Sequence, residues 1–177
     1  QFNQLINIQE ITHTVKRLET FSLLSHEMVT KVVQITGIEP ERENELTSLK
    51  DKLVKGSYLA ENSTGILLAE GLARSMQVDI GDTVLIYGQG LYGVTAAELI
   101  SVQGIVKFNI PAQNNGLAYV SLSNAQWIFS AYENITSLSI MIDDTDKLEY
   151  VAEKARLIFD DTYDVLTWRE LSPELVQ

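Results

Sequence analysis

The sequence contains no cysteine. Disulfides, thiolate nucleophiles and zinc–thiolate sites are therefore excluded. Cations are also scarce: 13 Lys and Arg stand against 24 Asp and Glu, a formal net charge of −11. A nucleic-acid surface needs clustered cations to displace phosphate counterions, so that partner class is excluded. An anionic lipid surface would be repelled by the same balance. No apolar run approaches the roughly 18 residues that span a bilayer; among the longest is Gly65-Ile66-Leu67-Leu68-Ala69. The two histidines, His13 and His26, are far apart, and neither has a second ligand at metal spacing. Without a G-x-S-x-G segment they do not point to a Ser-His-Asp machine. There is no initiating Met, basic n-region or signal peptide, so the chain is expected to be a piece of a longer one.

What is present is ordinary globular material: 177 residues, 45% hydrophobic and 21% charged, with three prolines. Such a chain buries about 70% of its unfolded surface and can build a core unaided. Ile8, Ile11, Val15 and Leu18 recur at 3–4 spacing and predict an opening amphipathic helix. The β-branched stretch 28–38 predicts a strand, with 19–26 as its partner. The polar segment 39–44 with Pro40 reads as a connection. Leu46, Leu49 and Leu53 predict a short helix closed at Gly56, and Leu68, Leu72 and Met76 a second one over 66–78.

Gly81-Asp82 turns the chain into a strand at 83–87, and further strands are expected at 99–107 and 117–121. Ser123 with Gln126 forms a capping-box pattern ahead of Trp127 and Phe129. Alternation over 135–142 predicts a half-buried strand. A helix through Leu148, Val151, Ala155 and Ile158 follows, capped by Asp144 or Thr145, and 164–168 reads as a closing strand. The expected fold class is α+β in two lobes. One is a split ferredoxin-like βαβ lobe over 1–38 and 133–177; the other is a smaller mixed α/β lobe inserted over 39–132.

Few segments carry chemistry. Gly88-Gln89-Gly90-Leu91-Tyr92-Gly93 matches the dinucleotide pattern G-x-G-x-x-G after a strand. At most two helical turns could follow it before Gly104, and no acidic residue lies at ribose-binding distance. A flexible hairpin tip is the competing reading. The carboxylate groups Glu39/Glu41/Glu43/Glu45, Asp143/Asp144/Asp146 and Asp160/Asp161/Asp164 read as solvated caps and turns. Trp127 and Trp168 read as core or lobe-interface anchors. No catalytic, cofactor or metal residue is assigned.

Four stretches together resemble the periplasmic core domain of the MacB-like, lipoprotein-releasing and FtsX-like ABC transporter permeases. They are Ile35-Thr36-Gly37-Ile38-Glu39-Pro40-Glu41; the run from Gly65 through Ala73 to Gly81-Asp82-Thr83-Val84; Val102-Gln103-Gly104-Ile105 with Leu122-Ser123-Asn124-Ala125-Gln126; and Val165-Leu166-Thr167-Trp168-Arg169-Glu170. Gln77 stands where that family's pattern has glycine. The resemblance implies a porter-like lobe and a sabre-like inserted lobe, held extracytoplasmically between membrane helices. It implies no enzyme activity and no cofactor. Its implied partners are a second permease subunit, a cytoplasmic ATPase, and a periplasmic adaptor or lipoprotein cargo, in release or efflux. Tyr87, Leu91 and Tyr92, with Phe108 and Ile110, are the candidate partner contacts. The alternatives are a nucleotide-binding enzyme using the Gly88 loop and a purely structural extracellular module.

Overall fold

The structure, a computed structural model, describes Leu5, residues 8–159 and residues 163–171. The chain forms two compact units: Val15–Ser139, and Gln1–Thr14 together with Ile140–Gln177. The chain passes between them inside two strands, β1 (Ile11–His26) and β8 (Ser137–Ile142). The sequence reading cuts instead at 38/39 and 132/133.

In the larger unit β1 pairs with β2 (Val29–Ile38) through ten residue pairs, from Arg17↔Ile38 to His26↔Val29. The remaining strands are β3 (Leu53–Gly56), β4 (Ile66–Ala69), β5 (Thr83–Gln89), β6 (Thr95–Val106) and β7 (Leu117–Ser121). Their order runs β2-β7-β4-β6-β5-β1, and because β1 also pairs with β2 the six strands close into a ring. Closure leaves those shared edges without free ladder groups. Leu24, Ile35, Ile66, Leu68, Val84 and Ile86 point inward and are completely buried. The mixed α+β composition is as expected, but the stretch through Ile11, Val15 and Leu18 expected as a helix lies in strand β1.

Several local expectations are corrected. Segment 39–44 begins a helix, α1 (Pro40–Thr47), because Pro40 sits at its first turn where no N–H is needed. The helix expected through Leu46 and Leu53 is a 3₁₀ turn (Leu49–Lys52) followed by β3, and Gly56 bends the chain with φ +79°. The helix expected over 66–78 begins as β4, buried on both faces, and turns helical only at α2 (Glu70–Met76). A short α3 (Pro111–Gly116) precedes β7.

Gln77 closes α2 in the left-handed region at φ 56°, ψ 40°. Its N–H reaches Arg74 O at 3.2 Å, and the N–H of buried Val78 reaches Ala73 O at 3.1 Å. That is a Schellman motif carried by a residue with a Cβ. Helix α4 (Leu122–Ile128) is capped not by Ser123 but by Ser121, whose hydroxyl accepts from Asn124 N–H. Ser123 Oγ instead donates to Glu61 O at 2.9 Å. Gly37 lets α4 lie against β2, since a Cβ there would sit 2.3 Å from Ala125 Cβ.

In the smaller unit α5 (Leu148–Ile158) buries Val151, Ala152 and Ala155, and follows a turn capped by Asp144. The closing strand expected over 164–168 is absent from the described residues. Trp168 opens α6 (Trp168–Leu171), and Thr167 and Glu170 form a capping box. Thr167 N–H donates to Glu170 Oε2 at 2.6 Å, and Glu170 N–H returns to Thr167 Oγ1 at 3.3 Å. Arg156 donates to both Glu170 oxygens and to Val165 O.

Candidate functional site

The surface that stands out on the larger unit lies on and beside the β5–β6 hairpin. Its tip is a tight turn with Tyr92 at φ 58°, ψ 24° and Gly93 at φ +80°, closed by Val94 N–H to Leu91 O at 3.4 Å. Consecutive left-handed residues match the right-handed twist of the flanking strands. The tip is pinned at its base. Gly90 N–H donates to Val94 O at 2.6 Å, and Leu91 N–H to Phe129 O at 2.8 Å. A Cβ on Gly90 would lie 2.5 Å from that same Phe129 oxygen, so glycine permits the approach.

This geometry separates the expected contact residues. Leu91 is half-buried and packs on the core, whereas Tyr92 is 92% exposed. Phe108 is half-buried, packs against both hydrophobic clusters and has its ring 6.2 Å from that of Tyr119. Ile110 is exposed. Tyr87 does join a surface feature, an open groove of about 410 Å³ lined also by Phe21, Leu23 and Val32. Strand register explains the row: Leu23 pairs with Val32 on β2 and with Tyr87 on β5, so their outward side chains align across three strands. Sequence reasoning missed Phe21, Leu23 and Val32. The available signal was apolar residues on both parities of 21–24, where one face suffices for a core.

The glycine-rich segment does not form the dinucleotide turn. That site needs a helix N-terminus facing the phosphates, and strand β6 begins there instead. Trp127 and Trp168 are 53% and 45% exposed, so neither is a core anchor.

The carboxylate group of α1 is not wholly solvated either. Glu43 is 3% exposed and holds Arg17 in a two-pronged pair, Nε to Oε2 and Nη2 to Oε1 both at 2.8 Å. Thr47 Oγ1 donates to Glu43 Oε1 at 3.1 Å. Burial works to lower the Arg17 pKa, but the hydrogen bonds and charge of Glu43 outweigh it and the value is raised. Tyr119 is pushed up to about 12, by burial first and then by the Glu43 charge. Tyr58 is raised for the same two reasons, and its hydroxyl donates to Pro40 O at 3.0 Å. The cluster keeps the start of α1 against β1, and neither the groove at Tyr87 nor the one at Trp127 is lined by it. No helix among those residues is long and apolar enough to cross a membrane.

No sequence-family description and no curated protein matches this sequence. Solved structures do. The extracellular domain of the noncanonic ABC-type transporter YknZ from Gram-positive bacteria aligns with a TM-score of 0.67 at 13% identity, over 90% of this chain and 80% of that one. The periplasmic region of MacB from Actinobacillus actinomycetemcomitans aligns at 0.62 and 17% identity, over 88% and 71%. A domain from Porphyromonas gingivalis, whose parent is named as a permease, aligns at 0.55 and 13%, over 97% and 85%. The fold is that of the extracytoplasmic domains of ABC transporter permeases. Within that class it is similar to the YknZ and MacB domains.

Proposed function

We propose that this chain is the extracytoplasmic domain of an ABC transporter permease, coupling ATP hydrolysis on the cytoplasmic side to lipoprotein release or substrate efflux. The fold likeness to the YknZ extracellular domain over 90% of the chain carries the reading. In this reading the domain works in pairs within a permease dimer, and membrane helices relay motion from a separate ATPase. The closed ring suits transmission, because strands paired to neighbours around the ring are held in register from both sides over most of their length. The porter-like lobe (1–38 with 133–177) and the sabre-like lobe (39–132) are part of the same proposal.

Partner contact is assigned to the exposed apolar residues of the hairpin and groove, Tyr87 and Tyr92 foremost, with Ile110 as a separate surface position. Leu91 and Phe108, half-buried and packed on the core, complete the proposed set of contacts. An adaptor or a lipoprotein cargo presents the apolar surface such a row would accept.

The test uses the intact transporter carrying this domain. Replacing Tyr87 and Tyr92 together with serine is expected to leave basal ATPase activity unchanged and to lower transport about tenfold, the effect of roughly 1.4 kcal/mol. Transport at the parental rate would reject the contact assignment. Transport that persists after excision of residues 1–177 would reject the coupling role itself.

A further inference from the structure

A second groove, of about 540 Å³, opens on the larger unit where no expected site residue lies. Its floor is a strand edge. β6 is paired with β4 from Val102 onward and with β3 from Gly104, but over residues 95–101 it is paired with β5 alone. Asn62, Thr64 and Gly65 lead into β4 at one end of this edge, and Asn124 and Trp127 of α4 form the opposite wall.

The backbone groups that face the groove follow from the ladder. Val102 accepts from Gly81 N–H at 2.9 Å and donates to Asp82 O at 2.8 Å, so both its groups point toward the β5 side. Val94 O points the same way, accepting from Gly90 N–H. Residues two apart along a strand point alike. The N–H and C=O groups of Ala97 and Leu99 therefore face the other way, toward the groove. Two donors and two acceptors are thus presented in register along an open edge.

The side chains around the edge define what would add to it. Leu99 and Trp127 are 67% and 53% exposed and offer apolar contact for alternate side chains of an incoming strand. Glu98 lines the groove half-exposed, and among the described residues it has no ion-pair partner. The carboxamides of Asn62 and Asn124 and the Thr64 hydroxyl make no hydrogen bond to the described residues. An unpaired carboxylate on a chain of net charge −11 selects for a cation.

We infer that the free edge of β6 is a docking site for an extended, cationic segment of a partner protein, which adds to the sheet as a further strand and places a Lys or Arg against Glu98. Main-chain bonds to Ala97 and Leu99 supply binding, and Trp127, Leu99 and Glu98 supply selectivity. The inference stands on edge geometry and charge, independently of the transporter reading.

The test uses the full chain with Trp168→Phe, so that Trp127 is the sole tryptophan and is read by selective excitation. The probe is an eight-residue peptide alternating Val and Lys, blocked at both ends. Two N-methylated versions carry the methyl groups on one or the other set of alternate amides. Saturable binding is expected for the parent peptide. One methylated version should bind about tenfold or more weakly, having lost ladder donors, and the other should bind nearly as well. Ala97→Pro removes an edge N–H that serves no ladder bond and should abolish binding while the fold is kept. Trp127→Ala, read by titration calorimetry, and Glu98→Gln should each weaken binding several-fold, and Glu98→Gln should also flatten its salt dependence. Equal binding of both methylated versions would overturn strand addition. So would no binding of the parent peptide, or Trp127 quenching by the neutral saccharide cellohexaose in place of the peptide.

Discussion

The two units solve the same packing problem by different means. In Val15–Ser139 six strands close on themselves, and Leu24, Ile35, Ile66, Leu68 and Ile86 lose all contact with solvent. The other unit has a helix of eleven residues, α5, and among the described residues its buried apolar side chains are Leu5, Ile8, Val151, Ala152 and Ala155. It leaves Leu157 87% exposed, Leu171 65% and Leu166 56%. Its order near α6 rests on polar bonds, the Thr167–Glu170 box and the Arg156 fork. Sheet closure gives a core whose integrity depends on every strand, whereas capping gives order that is local and sensitive to charge. The chain carries one tryptophan in each unit, Trp127 and Trp168, so single-tryptophan variants follow each unit separately.

The largest effect is expected from Glu43→Ala. It strands the Arg17 guanidinium, which is 21% exposed, without its partner. Breaking such a pair costs about 3–5 kcal/mol, or a fall of about 10 °C in the melting midpoint. Read through Trp127, that fall should be complete; read through Trp168, the midpoint should stay in place. A common shift of both signals would mean one cooperative body and would dissolve the contrast between the units.

A smaller change of opposite sign is expected from Gln77→Gly. The left-handed cap at φ 56° burdens a residue with a Cβ, and glycine relieves this for a net gain of about 0.5–1 kcal/mol. The Trp127 midpoint should rise by about 2–3 °C. An unchanged or lower midpoint would show that the cap is unstrained.

The smallest effect lies in the other unit and depends on pH. The Thr167 N–H, then the Thr167 hydroxyl, and then Arg156 hold the exposed Glu170 carboxyl below its ordinary 4.5. A depressed folded-state value means that the stabilising contribution is present above the ordinary value and is lost as pH falls through the depressed one. Acidification below about 4.5 should therefore alter the Trp168 signal, and Glu170→Gln should remove that transition. The Trp127 signal should not share it.

Much of the larger unit is legible in sequence because its strands alternate or end in glycine turns: β2, β5, β6, β7 and β8 all lie within a few residues of their expected positions. β1 is not, for a physical reason. It serves both units, and its buried positions switch parity from Val15 to Leu18, Ser22 and Leu24. That switch produces the 3–4 spacing of a helix within an extended strand. β4 hides for another reason: burial on both faces erases alternation, so Ile66, Leu67 and Leu68 merge with the helix that follows.

At the candidate site, Tyr87 and Tyr92 were visible as aromatics among glycines. Phe21, Leu23 and Val32 become neighbours of Tyr87 only through strand register. The Arg17–Glu43 pair spans 26 positions and leaves no local trace. The T-W-x-E segment carries the fixed spacing of a capping box, a signal that outweighs the strand expected over 164–168.

The seam that closes the ring has a consequence for how the molecule assembles. Of all its joints, the ten-pair ladder between β1 and β2 is the most local, crossing only Glu27 and Met28. A hairpin forms in about 1–10 μs, long before distant strands meet. The joint that completes the circle in space can therefore be the first made in time, leaving the parallel contacts of β2 with β7 and of β4 with β6 as the slow events that fix the folding rate.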